Sequence, residues 1–280
     1  MWTQEHRQSH DRKGLRYPSD LTDAEWALVG SLIPPARRGG RPRDVDIREV
    51  LNAVFYLLST GCQWDALPRD LPPKSTVYEY FSLWRSDRTL LRLHQALYAQ
   101  VREASGRKAQ PTVAILDSQS AKAAQKGGPP IDPQGYDAGK KVTGRKRHIL
   151  VDTLGLLLNV VVHRASVQDR DGTRRLLRDD ARRFPSIIKI FADAGYQGPK
   201  MAKVVADTGN WQIEIVKRTE LHKFVVMPKR WIVERTFAWI SRNRRLARDF
   251  ERYAATVVAF VRLAMIRIML RRLTRLNPCS

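Results

Sequence analysis

The hydrophobic pattern of the chain changes near residue 105, and this change restricts the fold more than any other feature of the sequence. Before it, apolar residues recur at helical spacing; after it, short β-branched runs alternate with amphipathic segments. The polar stretch 105–110 (SGRKAQ) separates the two patterns and marks a domain boundary. We therefore predict a small all-α domain followed by an α/β domain.

The helical pattern occupies residues 17–104, behind a polar segment, residues 1–16, that we expect to be flexible. Thr22 and Glu25 have the spacing of a capping box at the start of a short helix. Residues 46–60 form a longer apolar helix that the following glycine ends. Short turns containing Gly and Pro connect these segments, which is the organisation of a compact helical domain.

The last part of this region, residues 74–104, is compatible with a helix-turn-helix, with Ser75 as a helix N-cap. In that interpretation residues 74–85, including Lys74 and Arg85, face a DNA groove. A plain helical bundle explains the same pattern equally well. Its core would contain the aromatic residues of the segment, Tyr78, Phe81 and Trp84.

The pattern of the second half of the sequence predicts three strands first. A helix, a strand, a helix, a strand and two further helices follow them. The strands are residues 112–117, 147–153, 156–163, 187–192 and 211–216; the helices are residues 170–184, 199–207, 229–251 and 254–275. This order fits an α/β sheet covered by helices. We place the α/β domain at residues 111–253 and expect the basic helix 254–275 to pack on it.

The chain carries a formal net charge of +22, from 50 Lys and Arg against 28 Asp and Glu. Such an excess favours a polyanionic partner, and nucleic acid is the simplest one. A membrane surface is the competing partner, but Arg262 and Arg267 interrupt the most apolar segment, so no membrane span is expected. The N-terminus lacks the apolar core of a signal peptide, and Cys62 and Cys279 form neither a disulfide framework nor a zinc pattern.

Three acidic residues could form a site. Asp117 and Asp193 each follow a predicted strand, and ligands of open α/β sheets collect beyond strand carboxyl ends. Taken singly, each is better explained by a role in a turn, and only the two together favour a site. In the helix 229–251, Glu234 lies opposite the apolar side among arginines, where it could simply form intrahelical ion pairs. If the three carboxylates converge without pairing, they suit Mg²⁺ or Mn²⁺, and two such ions can support phosphoryl displacement.

The other titratable residues have simpler explanations. Asp152 lies at a strand–turn junction and Asp169 or Asp171 can cap a helix. We expect Asp207 and Asp249 to be solvated surface acids, and His148 and His163 to be satisfied structural histidines without metal-ligand spacing.

Two basic stretches are candidates for DNA contact. The segment GKKVTGRKRH before the second strand contains Lys140, Lys141, Arg145, Lys146 and Arg147. It favours phosphate contact over a merely solvated turn in a protein of this charge. The helix 229–251 adds Arg230, Arg242 and Arg245. From Arg230 to Arg275 the sequence has 12 Arg and no Lys, and this choice of Arg favours bidentate phosphate contacts.

Several motifs of the chain resemble the DDE transposases of bacterial insertion sequences, in their large family-five group. These motifs are DSQSAKAA, GYDAGKKVTGRKRHILVDTLGL, ASVQDRDG, FADAGYQG and RWIVERTFAWISRNRRLARDFE, with YPSDLTDAEW, GCQWDALP and STVYEYFSLW in the N-terminal region. The resemblance implies an RNase H-like mixed sheet flanked by helices, preceded by a small helix-turn-helix-like domain. It also implies that Asp117, Asp193 and Glu234 form the acidic triad.

With this resemblance we expect two Mg²⁺ ions, or Mn²⁺, per active site, which support DNA hydrolysis and then attack of the freed 3′-OH on target DNA. The partners would be double-stranded DNA, as element ends and target, and a second copy of the chain in a homodimer assembled on DNA. The setting would be the bacterial cytoplasm, at the nucleoid. Two alternatives stay open: an RNase H-like nuclease or resolvase without strand transfer, and a DNA-binding regulator without chemistry.

Overall fold

The computed structural model describes residues 11–36, 39, 43–124, 132–207, 211–216 and 230–276. The chain separates into two compact units. The first contains the chain up to Arg107, Asn243–Arg245 and the chain from Arg262 onward; the second contains Lys108–Arg242 and Leu246–Val261. Residues 1–10 of the segment expected to be flexible lie outside the described residues. Within the described ranges, no helix is both long and apolar enough to cross a membrane.

The first unit is helical, as the spacing of its apolar residues predicts. Its helices are α1 (Asp23–Val29), α2 (Ile47–Thr60), α3 (Lys74–Ser86) and α4 (Thr89–Ala104), with 3-10 turns at Gly30–Leu32 and Trp64–Ala66. The Thr22 hydroxyl accepts from the Glu25 N–H while the Glu25 carboxylate accepts from the Thr22 N–H, so the predicted capping box is present. Gly61, with a φ of 70°, ends α2.

Helix α3 differs from the prediction at its start and on one face. Ser75 lies inside its first turn and does not cap it. Phe81 and Trp84 are buried, but Tyr78 is 48% exposed. The Tyr78 ring packs edge-on against Trp64, with ring centroids 5.2 Å apart. The bundle core therefore contains two of the three aromatic residues expected there.

The second unit is built on a six-stranded mixed sheet. Its strands are β1 (Val113–Lys122), β2 (Gly135–Asp137), β3 (Val142–Asp152), β4 (Leu157–Arg164), β5 (Lys189–Ala192) and β6 (Gln212–Ile215). The order is β2-β3-β1-β5-β6, with β4 also paired to β3. Strands β1, β5 and β6 are parallel, whereas β3 is antiparallel to β1, β2 and β4. Strands β1 and β3 both extend beyond their predicted ranges because they pair with each other as far as Lys122 and Gly144.

The remaining helices belong to the second unit, except that parts of the last two belong to the first unit. They are α5 (Asp169–Gly172), α6 (Arg174–Arg183), α7 (Pro199–Ala206), α8 (Arg230–Ser241), α9 (Arg244–Ala247) and α10 (Ala254–Leu276), with a 3-10 turn at Ala194–Tyr196. Helix α6 packs on β4, and α8 packs on β1 and β3. This mixed sheet with flanking helices, together with the helical N-terminal region, confirms the predicted α/β, RNase H-like fold class.

The helix predicted over residues 229–251 is not continuous. It ends as α8 at Ser241, α9 contributes one further turn, and the chain then becomes extended. Asp249 forms backbone hydrogen bonds with the end of β1 and the residues after it: its N–H donates to the Lys122 carbonyl at 2.9 Å, and its carbonyl accepts from the Ala124 N–H at 2.9 Å. A helical backbone could not make this pairing, because its N–H groups are used within the helix. Phe250, which the helical pattern placed on the apolar side, is 48% exposed.

Candidate active site

The register of the sheet brings Asp117 and Asp193 to the same level on neighbouring parallel strands. Val113 of β1 pairs with Lys189 of β5, an offset of 76 residues that the next two pairs repeat. The same offset separates Asp117 from Asp193. Asp193 follows the end of β5, as predicted, but Asp117 lies inside β1, which continues to Lys122. The two aspartates therefore lie beside each other where β5 ends and β1 continues, paired only with β3 among the described strands.

The surroundings of Asp117 make its negative charge costly. Burial raises the pKa of Asp117 from its ordinary 3.8 to about 6, and the nearby charge of Asp193 adds to the rise. The Ser118 N–H, which donates to Asp117 Oδ1 at 2.7 Å, acts in the opposite direction, as do the charges of Arg230 and Lys140. A carboxylate that is desolvated beside a second carboxylate is a site that a bound cation would stabilise.

Arg230, the first residue of α8, lies between the second and third acids. Its Nη2 is 3.9 Å from Asp193 Oδ2, and its Nε is 3.2 Å from Glu234 Oε1. The contact with Glu234 has ion-pair distance but lacks the alignment of a hydrogen bond, since Nε has no hydrogen-bond partner among the described residues. The Glu234 side chain is 59% exposed. The local pairing that the helical spacing allowed is thus present, and it occurs at the edge of the aspartate pair.

The turn between β3 and β4 anchors the helix that carries Glu234. The Thr236 hydroxyl donates to the Gly155 carbonyl at 2.9 Å, and Gly155 has a φ of +76°. A Cβ at Gly155 would lie 2.9 Å from the Thr236 hydroxyl and 3.0 Å from the Trp239 ring, so a larger residue would push α8 away. This contact fixes the distance of Glu234 from the sheet.

The two aspartates line a small cleft with Phe191, Arg230 and Val233. Over the described part of the chain, no three or more His, Cys, Asp and Glu side chains are close enough together to hold a metal ion. The structure thus brings two of the three predicted ligands together and leaves Glu234 beside them, paired with Arg230.

The donor chemistry of this site fits a divalent cation. Two carboxylates lie side by side, one of them destabilised by burial, and hard oxygen ligands of this kind suit Mg²⁺ or Mn²⁺. The guanidinium of Arg230 already places positive charge against Asp193 and Glu234. Asp117 and Asp193 are the two described carboxylates placed side by side for such an ion, and Glu234 lies at their edge in contact with Arg230.

Three residues expected to contact DNA are instead buried in β3. Arg145 forms an ion pair with Asp249, with Nη1 and Oδ2 3.1 Å apart and both side chains 1% exposed. Lys146 pairs with Asp169 at 2.9 Å, and Arg147 donates to a backbone carbonyl of α9 at 2.8 Å. The expectation of phosphate contact by these three side chains is therefore corrected. The strand begins five residues earlier than predicted, which carries this basic run into the sheet.

The prediction that Asp249 is a solvated surface acid is also wrong, because Asp249 is the buried partner of Arg145. Burying an arginine without a counter-charge is expensive, and Asp249 offsets part of that cost. Arg145 also donates to the backbone carbonyls of Asp132, Glu251 and Arg252 at 2.7–2.9 Å.

The remaining basic residues of the predicted loop lie at the surface. Lys140 and Lys141 are exposed, and Lys141 has a positive φ of 52°. The Lys140 ammonium donates to the Ser118 carbonyl at 3.0 Å, which places it beside the strand that carries Asp117. Lys140 therefore contacts the residue that follows Asp117 in the chain.

The other predicted DNA contacts divide between surface and interior. Arg242 is exposed, and Lys74 lies at the surface in an ion pair with Asp65. Arg85 is half-buried. Arg245, in contrast, is buried and donates to the Cys62 carbonyl at 2.7 Å, so its guanidinium has a structural partner in the first unit. Phosphate contact by Arg245 is not supported.

Beneath the cleft lies a polar cluster that sequence reasoning missed. It consists of Ser118, Asp169, Lys146, Tyr196 and His148. A sequence signal exists, because hydroxyl residues follow the two aspartates at short spacing in DSQS and DAGY. The strand pattern alone could not show that these residues meet, since 51 residues separate Ser118 from Asp169.

Two histidines of the second unit, His148 and His163, stack on each other, with ring centroids 4.7 Å apart. His148 Nδ1 lies 3.2 Å from the Tyr196 hydroxyl, and burial lowers the pKa of His148 to about 3. His148 is therefore neutral near pH 7. Asp152, which is also buried, accepts backbone hydrogen bonds from Leu154 and Leu156 at 2.9 Å, a turn role consistent with its position.

Comparison with protein families decides the identity of the chain. Residues 108–269 match the family model described as the transposase DDE domain, and residues 21–94 match a model for transposases of the IS4/5 family. The chain belongs to the DDE transposases of IS4/5-type insertion sequences. The first match covers the sheet and helices around Asp117, Asp193 and Glu234, and the predicted family is confirmed.

Relatives support the same family. The transposase is 31% identical over 158 residues to a Burkholderia cepacia protein named as transposase for insertion sequence element IS402, a match that covers 53% of this chain and 72% of the relative. It is also 30% identical over 90 residues to an uncharacterised 16.2 kDa protein of the same element and organism, covering 30% of this chain and 61% of that protein.

Two solved transposase structures resemble the chain distantly. The Drosophila P element transposase strand transfer complex has a TM-score of 0.32 and 15% identity, over 71% of this chain and 46% of that one. The Mos1 mariner paired end complex with Mn has a TM-score of 0.30 and 11% identity, over 98% of this chain and 91% of that one.

Proposed function

We propose that this transposase binds the ends of its element and catalyses divalent-metal-dependent strand cleavage by hydrolysis, followed by strand transfer through attack of the 3′-OH on target DNA. The observation that carries the proposal is the side-by-side position of Asp117 and Asp193, with Glu234 on an anchored helix at their edge. Membership of the DDE family supports the assignment of these acids, which lie on adjacent elements, as the metal ligands of the reaction.

The protein groups would divide the work. Asp117, Asp193 and Glu234 would hold the cations, and Lys140 and Arg230 would contact the phosphates beside the scissile bond. Two bound Mg²⁺ or Mn²⁺ ions would supply activation of water and stabilisation of the leaving oxygen. Arg230 would exchange its carboxylate contacts for a phosphate once a cation neutralises Asp193 and Glu234, since Arg binds carboxylates and phosphates in similar geometry.

Double-stranded DNA would be the partner in two roles, as element ends and as target. The helical first unit, including Lys74 and Arg85 of α3, would contact the ends, and the exposed Lys141 and Arg242 would add phosphate contacts. A homodimer would hold two ends together. The place of action would be the bacterial cytoplasm, at the nucleoid.

A cleavage and joining assay tests this function. The purified chain is incubated with Mg²⁺, linear DNA that carries candidate inverted ends from the flanks of its gene, and a supercoiled target plasmid. Joined products are expected. Cleaved but unjoined DNA would instead indicate a nuclease or resolvase, and bound but unchanged DNA would indicate a regulator.

Substitution of the acids tests their assignment. Asp117→Asn, Asp193→Asn and Glu234→Gln should each abolish cleavage while DNA affinity at low salt is retained, because most phosphate contacts lie elsewhere. The matched control is Asp207→Asn, a surface acid 41% exposed. Cleavage at the wild-type rate by any of the three variants would remove that residue from the triad.

A further inference from the structure

A buried hydrogen-bond network joins the segments that follow the two aspartates. The Ser118 hydroxyl, next to Asp117 in the chain, donates to Asp169 Oδ1 at 2.8 Å. Tyr196, three residues after Asp193, interacts through its hydroxyl with the Ser118 side chain and lies 3.2 Å from His148 Nδ1. The residues next to the two aspartates are therefore linked through side chains as well as through the sheet.

Asp169 lies at the centre of this network, and one of its carboxylate oxygens contacts two partners. Its Oδ1 accepts from Ser118 and also lies 2.9 Å from the Lys146 ammonium. Its Oδ2 faces the turn after β5: a Cβ built on Gly195 would lie 3.3 Å from Asp169 Oδ2 and 3.1 Å from Asp193 Oδ1. Asp169 thus contacts the surroundings of both aspartates from one position.

The short helix α5 that carries Asp169 is held in place by the histidine pair. A Cβ at Gly172 would lie 2.1 Å from His163 Nε2 and 2.6 Å from His148 Nε2, so only glycine allows α5 to approach these rings. Lys146, the charge partner of Asp169, is buried and also lies 3.4 Å from Asp137. The position of Asp169 is therefore fixed from below by packing and by charge.

Two adjacent carboxylates repel each other, and a bound cation needs both at fixed distance. We propose that Asp169, acting through Ser118 and Tyr196, is a positioning residue that holds Asp117 and Asp193 in the arrangement that binds a divalent cation. The inference rests on the proposed function, since it assigns these residues to the metal site of that reaction. Asp169 itself does not touch the substrate.

Because Asp169 acts outside the ligand set, its loss should weaken metal binding without removing the ligands. Loss of residues that orient metal ligands typically costs about tenfold to hundredfold in metal affinity. Ser118→Ala and Asp169→Asn should each raise the dissociation constant for Mn²⁺ by about tenfold. Ser118→Thr, which keeps the hydroxyl, should restore binding, and Asp171→Asn, an exposed acid on the same helix, is the matched control.

The primary measurement is a Mn²⁺ titration of the full-length variants without DNA, followed by the electron paramagnetic resonance signal of free Mn²⁺. The Asp117→Asn variant shows which part of the Mn²⁺ binding occurs in the cleft, because it should abolish that binding. Circular dichroism checks folding, and if Asp169→Asn does not fold, the comparison of Ser118→Ala with Ser118→Thr decides. Equal Mn²⁺ affinity for Ser118→Ala, Asp169→Asn and wild type would overturn the proposal.

The dependence of DNA cleavage on Mn²⁺ separates positioning from direct catalysis. Ser118→Ala and Asp169→Asn should need more Mn²⁺ for half-maximal cleavage but reach a maximal rate within about twofold of wild type. A large loss of maximal rate with unchanged Mn²⁺ affinity would also overturn the proposal. If wild type binds Mn²⁺ in the cleft but cleaves no DNA, the proposed function fails while the positioning inference is still decided by the titration.

Discussion

Replacing Asp117 by Asn should make the metal-free protein more stable at neutral pH while it removes a predicted metal ligand. Asn keeps the shape of the side chain and can still accept the hydrogen bond from the Ser118 N–H. It removes the charge whose burial, beside Asp193, raises the pKa of Asp117 to about 6 from an ordinary 3.8. Two interactions that oppose folding, desolvation and like-charge repulsion, are therefore relieved.

The size of the effect follows from the pKa of Asp117. One pKa unit corresponds to about 1.4 kcal/mol, so a rise of roughly two units costs the folded state about 3 kcal/mol when the group is ionised. The folded protein binds this proton more tightly than the unfolded chain does. The stability of wild type should thus fall as pH rises from about 4 to about 6 and then become constant, and only above that range should the Asn variant gain its full advantage.

Urea unfolding in EDTA, followed by circular dichroism at pH 4.5 and pH 7.5, measures this difference. At pH 7.5 the Asn variant should have the higher midpoint, and most of the gain should disappear at pH 4.5. Addition of Mg²⁺ should raise the midpoint of wild type but not of the variant, because only wild type keeps both aspartates. A variant no more stable than wild type at pH 7.5, or a gain that is equal at both pH values, would refute the reasoning.

Three further changes test other parts of the structure. Gly172→Ala should destabilise the second unit by about 1–3 kcal/mol, because its Cβ would overlap the two imidazoles. The control Gly14→Ala, with no atom within 4 Å of its Cβ, should not change stability, and thermal unfolding compares the two variants. Asp249→Asn should cost about 3–5 kcal/mol in urea unfolding, since it leaves the Arg145 charge buried and unpaired, and an effect below 1 kcal/mol would contradict that pairing. Lys140→Ala should lower the slope of log DNA affinity against log salt by about one in fluorescence anisotropy, if this ammonium contacts a phosphate.

The acids of the candidate site could be predicted because strand ends and chain spacing are local properties. Asp193 follows the buried run of β5, as the strand pattern predicts, whereas Asp117 lies inside β1, which continues beyond its apolar run because it pairs with β3. The acid of α8 was placed on the solvent side by helical periodicity alone, and it is exposed. These predictions needed no knowledge of long-range contacts.

The sequence predictions were wrong where the burial or the backbone conformation of a residue depends on a partner far along the chain. The run of Arg145, Lys146 and Arg147 reads as a solvated loop, and only the carboxylate of Asp249 and the network around Asp169 allow it to enter the sheet. For the same reason the helix after Arg230 could not be ended correctly from its periodicity. The backbone after α9 leaves the helical form in order to pair beside β1.

The register between β1 and β5 has a consequence for how such chains can vary. The distance between the two aspartates in space depends on three pairs of backbone partners and, by our proposal, on the side chains around Asp169. The number of residues that separate them in the chain imposes nothing on it. Insertions or deletions in the surface connections between these strands would leave the acids where they are, because loops tolerate changes of length. A slip of β5 by a single residue would instead turn its aspartate to the opposite face of the sheet. Homologous chains should therefore keep this register while the number of residues between the acids drifts.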